Sequence, residues 1–137
     1  YMSRLTEEDI KNRYITAAIE SSGWLKEQVF MEYFFTAGQV IVRGNSISRG
    51  SKKKCDYLLT DSIGKIPLAI VEAKDENHEI GSGMQQAIEY AEILNIPFAY
   101  SSNGKGFLEH DFFTGKEIEL SINDFPTEQQ FCCILRI

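Results

Sequence analysis

Histidine and cysteine are scarce in this 137-residue sequence, with only His78 and His110 and only Cys55, Cys132 and Cys133. Three cysteines make no even disulfide framework, and two scattered histidines make no zinc spacing, so a reducing, cytoplasmic setting is expected. No apolar run reaches 18 residues, and Tyr1-Met2-Ser3-Arg4 lacks the apolar stretch of a signal peptide. Neither membrane insertion nor export is therefore expected. No Gly-x-x-x-x-Gly-Lys-[Ser/Thr] loop is present, which excludes a phosphate-cradling ATP motor in this stretch. Positive charge is not in excess either: the formal net charge is -6, whereas unselective coating of nucleic acid needs clustered Lys and Arg. Repeats and low-complexity tracts are also missing.

What is present is an ordinary globular composition, 43% hydrophobic and 25% charged, at a length that allows one domain over 1–137 with a real core. Charge is uneven along it. Arg43, Arg49, Lys52, Lys53 and Lys54 occur with no acid among them, and Gly44, Asn45, Ser46, Ser48, Gly50 and Ser51 mark that stretch as a flexible loop. A phosphate backbone drawn to the loop would arrive beside Asp56.

Residues 55–60 and 66–74 read as strands rich in Leu, Ile, Val and Tyr, with turn residues Asp61-Ser62-Ile63-Gly64-Lys65 between them. In a hairpin folded about Gly64, Asp56 and Glu72 are equally far from the turn and lie opposite one another. Strand alternation puts Glu72 and Lys74 on one face and turns Ala73 away. Two carboxylates so close need positive compensation, and Mg²⁺ suits them, because it takes one or two protein carboxylates and fills its shell with water and phosphate. Lys74 would stand beside it, placed to assist an attacking water and to offset charge on phosphorus. The plainer reading of Glu-x-Lys alone is a solvated surface salt bridge.

The amino-terminal segment reads as a helix. Thr6 is a capping residue, Glu7, Glu8 and Asp9 suit the first turn, and Leu5 with Ile10 form a hydrophobic staple. Ile10, Tyr14, Ala17, Ala18 and Ser21 are expected on one face, with Gly23 as the stop. Glu7 is most simply an acid complementing the helix dipole. Residues 29–35 and 39–42 suggest strands about Gly38, although 24–31 could extend helically. A second helix is expected over 84–94, with a core stripe of Met84, Ala87, Ile88, Ala91 and Leu94. Gln86 and Tyr90, four apart, should stack on a flank away from that stripe, able to hydrogen-bond phosphate or order a loop. Beyond it, 96–100 reads as a buried strand, 101–104 as a turn, and 107–113 with 117–120 as a closing hairpin. Asp124-Phe125-Pro126-Thr127 resembles a domain exit, and 131–137 an apolar tail lacking its partner. The order helix, strands, helix, strands predicts a mixed central sheet flanked by helices, an α/β (α+β) fold.

In this order, Thr6-Glu7-Glu8-Asp9, Gly23-Trp24, Cys55-Asp56-Tyr57, Leu68-Ala69-Ile70-Val71-Glu72-Ala73-Lys74, Gln86 to Tyr90, Phe98-Ala99-Tyr100-Ser101-Ser102-Asn103-Gly104 and Phe107 to Asp111 resemble the amino-terminal nuclease domain of the restriction (R) subunit of type I restriction-modification enzymes. That is a branch of the PD-(D/E)xK nucleases with an added Gln-x-x-x-Tyr motif. Cys55 stands where the motif usually has proline.

The resemblance implies a restriction-endonuclease-like core, with Asp56 and Glu72 as ligands of Mg²⁺, the main-chain carbonyl of Ala73 completing the shell, and Lys74 as the catalytic lysine. It further implies Gln86 and Tyr90 as a supporting pair and Glu7 as an acid from the first helix. The expected activity is in-line hydrolysis of a phosphodiester in double-stranded DNA. The same resemblance implies a larger assembly: an ATP-driven motor elsewhere in the subunit, with modification and specificity subunits reading sequence. The residues leave two alternatives open, a non-catalytic module docking DNA or a subunit, and a stand-alone repair-type nuclease.

Overall fold

The computed structural model describes residues 6–36, 41–43, 46–48, 52–63 and 66–135. Helix α1 (Glu7–Ile10) runs through a π-helical turn (Lys11–Ile15) into α2 (Thr16–Ser21), followed by a 3-10 turn (Lys26–Gln28) and strand β1 (Val29–Thr36). Strands β2 (Ile41–Arg43), β3 (Ser46–Ser48), β4 (Lys52–Thr60) and β5 (Pro67–Ala73) come next, then α3 (Met84–Leu94), β6 (Phe98–Ser102), β7 (Gly106–Asp111), β8 (Glu117–Ser121) and α4 (Glu128–Leu135). Six strands form one sheet in the order β1-β4-β5-β6-β7-β8, while β2 and β3 pair as a separate hairpin. Neighbours in the large sheet are antiparallel except β5 and β6, which run parallel and are joined through α3, since parallel strands need a crossover. The fold is the mixed, helix-flanked sheet that the element order predicts.

Each face of the sheet carries its own core. Ile10, Ile15 and Ile19 of the first helical segment, with Trp24, Phe125 and Phe131, pack on Tyr57, Leu59, Val71, Phe98, Tyr100 and Phe107. On the other face Met84, Ala87, Tyr90 and Ala91 of α3 cover Cys55, Leu58, Ile70 and Ala99. Removing this apolar area from water, about 25 cal/mol per Å², fixes the depth of β4 and β5 between two helical layers.

The β4–β5 hairpin pairs Tyr57 with Val71, Leu58 with Ile70 and Leu59 with Ala69, the register that sets position 56 against 72. Gly64, the expected pivot, lies outside the described residues. Helix α3 has the predicted bounds.

Several expectations need correction. Thr6 does cap α1, with Asp9 completing a capping box, but the buried face is Ile10, Lys11, Ile15, Ala18 and Ile19, while Tyr14, Ala17 and Ser21 are exposed. The wide turn Lys11–Ile15 adds a residue and rotates everything after it relative to a uniform 3.6-residue pitch. Leu5, the other half of the expected staple, is outside the described residues. The strand expected over 29–35 forms and the helical alternative over 24–31 falls, because only Lys26–Gln28 is helical before β1 begins, whereas Ser101 and Ser102, expected in a turn, belong to β6. The basic stretch is not one loop: Ser46–Ser48 form β3, and Lys52, Lys53 and Lys54 belong to β4, opposite Thr36, Phe35 and Phe34. Tyr90 is buried with the α3 core rather than set on a flank, because it packs edge-on against Phe35 at 5.1 Å. Finally, Asp124 to Thr127 is no exit. Phe125 is buried, the Trp24 indole N–H donates to the Pro126 carbonyl at 2.9 Å, and α4 seats Phe131 in the main core.

Candidate active site

Glu32, Asp56 and Glu72 form one row across three neighbouring strands. The pairs Met31↔Tyr57 and Tyr33↔Cys55 put Glu32 opposite Asp56, and Tyr57↔Val71 puts Asp56 opposite Glu72. Like charges in facing positions oppose strand pairing, and regular pairing skips this row. Side chains take over: the Asp56 N–H donates to Glu72 Oε2 at 3.1 Å, and the Ala73 N–H donates to Asp56 Oδ2 at 2.8 Å. The N–H and C=O of one strand residue point to the same edge, so the Ala73 carbonyl also faces the Asp56 side.

The two gaps in the row are filled differently. Between Glu32 and Asp56 lies the ammonium of Lys11, 3.2 Å from Glu32 Oε1 and 3.4 Å from Asp56 Oδ1. Between Asp56 and Glu72 there is no cation among the described residues, and Glu72 Oε1 is the one buried side-chain polar atom there without a hydrogen-bond partner. Burial, then the hydrogen bond and charge of Asp56, push the Glu72 carboxyl up to about 9. For Asp56, burial acts upward as well, but hydrogen bonds from Glu72 and the Ala73 N–H, with the Lys11 charge, outweigh it and hold the group below its ordinary value.

Among the described residues no three His, Cys, Asp or Glu side chains form a ready-made metal cage. Two carboxylates, one orphaned oxygen and a nearby carbonyl nonetheless make a hard-oxygen set, which suits a cation that keeps most of its waters.

The remaining residues expected at the site gather at varied distances from this pair. Lys74 follows β5 and stays in register, its N–H donating to the Ser102 carbonyl at 2.8 Å. A Cβ placed on Gly83 would lie 3.3 Å from Glu72 Cβ and 3.6 Å from Lys74 Cε, so both side chains face the start of α3. Gln86 Nε2 donates to the Tyr90 hydroxyl at 2.7 Å. Burial, then the Glu72 charge, raise the Tyr90 phenol, leaving a protonated donor whose oxygen already accepts from Gln86. Glu7 is exposed at the start of α1; partial burial, then the Asp56 charge, raise its carboxyl, and it stands within the field of Asp56 and Lys74. The basic stretch reaches the site through Lys54, 3.7 Å from Glu32, while Lys53 pairs with the exposed Glu89 of α3 at 3.7 Å.

Sequence reasoning missed Lys11, Glu32 and Gly83. For Lys11 the four-residue spacing to Ile15 and Ile19 was visible, but the π turn that brings the three onto one buried face was not. Glu32 carried no such sign, because its role follows from a left-handed φ of 52° inside β1.

Residues 6–126 match the family model for the type I restriction enzyme R protein N terminus (HSDR_N). The chain is 41% identical over 140 residues to the type I restriction enzyme EcoAI endonuclease subunit of Escherichia coli, covering 96% of this chain and 17% of that subunit. It is 42% identical, with a TM-score of 0.81, to a solved fragment assigned as the HsdR subunit of a type I restriction enzyme from Vibrio vulnificus YJ016, covering 98% of this chain and 26% of that one. This chain thus spans about a fifth of its relatives' length, and across nearly all of its own it belongs to the family of type I restriction enzyme R protein N-terminal domains.

Proposed function

We propose that this chain is the Mg²⁺-dependent DNA endonuclease domain of a type I restriction enzyme R subunit, hydrolysing phosphodiester bonds in double-stranded DNA. The observation that carries the reading is the Asp56–Glu72 pair, two facing carboxylates with a buried Glu72 Oε1 that has no hydrogen-bond partner, and no cation between them, among the described residues. Asp56, Glu72 and the Ala73 carbonyl would hold the ion, which supplies Lewis acidity toward a phosphoryl oxygen and offsets the paired negative charge.

The chain's own groups do the rest. Asp56 is oriented by the Ala73 N–H, so its carboxylate stays in one rotamer while substrate arrives. Lys74, on the Glu72 face, lies where a cation can orient the attacking water and stabilise charge developing on phosphorus. Tyr90, with its oxygen engaged by Gln86, retains an O–H to donate to a phosphate oxygen. Glu7 adds negative charge at the rim. Lys52 and Lys54, both exposed, offer contacts to the DNA backbone without reading its bases. The ATP-driven motor and the modification and specificity subunits then lie outside this chain, delivering DNA to a domain that cuts without sequence preference. No helix among the described residues is long and apolar enough to cross a membrane.

The test is plasmid cleavage by the complete R subunit with its partner subunits and Mg²⁺. Asp56→Asn and Lys74→Ala are each expected to lower cleavage by about 10²-fold or more, the scale of losing one charge-stabilising group, while ATP hydrolysis continues. Cleavage at wild-type rate by both variants would remove the assignment.

A further inference from the structure

The row of three acids has one gap closed by the chain itself. Lys11 is 2% exposed, and its main chain is pinned from below: the Tyr57 hydroxyl donates to the Lys11 carbonyl at 3.2 Å and meets Thr16 Oγ1 at 2.7 Å. The π turn places its ammonium between Glu32 and Asp56, 5.9 Å from the centre of the Tyr57 ring. Glu32 reaches it from a backbone with φ 52°, a conformation that residues other than glycine, asparagine or aspartate resist. A strained acid and a buried lysine meeting at the row where strand pairing is skipped amount to a built feature.

The consequence concerns Asp56. Its Oδ2 is held by the Ala73 N–H and its Oδ1 by Lys11, so the carboxylate is fixed at both oxygens. In sites that hold two ions about 3.5–4 Å apart, carboxylates commonly serve both. On the Glu32 side of Asp56 a second ion would need Glu32 as its other carboxylate, and Lys11 already occupies that gap.

We propose that Lys11 is a positioning residue, a built-in cation that fixes Asp56 and keeps a second divalent ion out of the gap between Asp56 and Glu32. The inference rests on the reading that Asp56 and Glu72 bind such an ion.

The experiment counts Mn²⁺ bound per chain by electron paramagnetic resonance titration, with calorimetry for affinity. Wild type is expected to bind one ion. Lys11→Met keeps the apolar stem but removes the charge, and is expected to bind two; Lys11→Arg and the double variant Lys11→Met/Glu32→Gln are expected to return to one. Glu32→Gln alone keeps one ion but weakens it about tenfold, because Lys11 is left with Asp56 as its single partner. That variant decides the matter if Lys11→Met does not fold, since unchanged affinity would overturn the proposal. Two tight ions in wild type, or one ion of unchanged affinity in Lys11→Met, would overturn it and leave the metal site standing. No ion in any variant would sink the metal site and this inference together.

Discussion

Glu72 is a buried carboxyl whose ionisation the fold disfavours. Its affinity for protons is raised because burial and the neighbouring Asp56 both disfavour ionisation, and each tenfold in proton affinity corresponds to about 1.4 kcal/mol. A group whose pKa is higher folded than unfolded binds more protons in the native state, so the metal-free domain loses stability as pH rises from the ordinary carboxyl value toward about 9. Asp56 runs the other way, its contribution disappearing only when pH falls below the ordinary aspartate value. Glu72→Gln mimics the protonated acid without titrating. In chelator, its melting temperature is expected to stay nearly flat between pH 5 and pH 8.5 while that of wild type falls, and the variant should be inactive in cleavage. Parallel melting curves would mean that Glu72 is already ionised in the metal-free fold. Excess Mg²⁺ is expected to narrow the wild-type loss, because an ion between the carboxylates replaces the proton.

Elements position the site through one close approach. Helix α3 begins directly over β5 and β6: the Gly83 N–H donates to Ser101 Oγ at 2.9 Å, and a Cβ on Gly83 would stand 3.0 Å from that oxygen and 3.3 Å from Glu72 Cβ. The glycine is needed for space rather than for backbone freedom, since its φ is -90°. Gly83→Ala is therefore expected to push Glu72 and Lys74 outward by a few tenths of an ångström, costing about 1–3 kcal/mol of stability as an overpacked contact does. Cleavage should drop about tenfold or more with weakened Mn²⁺ binding, measured beside urea unfolding; unchanged cleavage would show that α3 does not register the site. Helix α3 was legible in sequence because its apolar spacing is uninterrupted, and β4 and β5 because two runs rich in Leu, Ile, Val and Tyr flank a cluster of turn residues. The first helix was legible in its cap but not in its phase, because a π turn leaves no mark in residue type. Lys52 to Lys54 could not be read as strand, having no alternation of their own; they extend because β1 lies alongside.

At the scale of the whole molecule, the sheet is covered on one face by two segments far apart in sequence, and this is the part that local patterns do not reveal. Residues 131–137 look like an unsatisfied apolar tail, since a short run of Phe, Cys, Ile and Leu says nothing of where its partner lies. In three dimensions the Phe131 ring stands 4.9 Å from Phe98, 5.8 Å from Trp24 and 6.2 Å from Tyr100, drawing α4 onto strand β6 and onto the end of the first helical segment. Gln28 joins the same closure, its amide donating to the Thr60 carbonyl and to Glu128, while the other oxygen of Glu128 accepts the Ser62 N–H at 2.7 Å. The far end of the β4–β5 hairpin is thus tied to α4, and its near end carries Asp56 and Glu72. Phe131→Ala should empty a fully buried ring position and cost about 3–5 kcal/mol, seen as a lower urea midpoint with little change in slope. Because the cavity opens under the sheet face opposite Glu72 and α3, the Mn²⁺ count and affinity of the folded variant should match wild type. A loss below about 1 kcal/mol would mean that α4 is not an integral part of the core, whereas metal binding lost at full folding would mean that the two faces of the sheet are mechanically coupled.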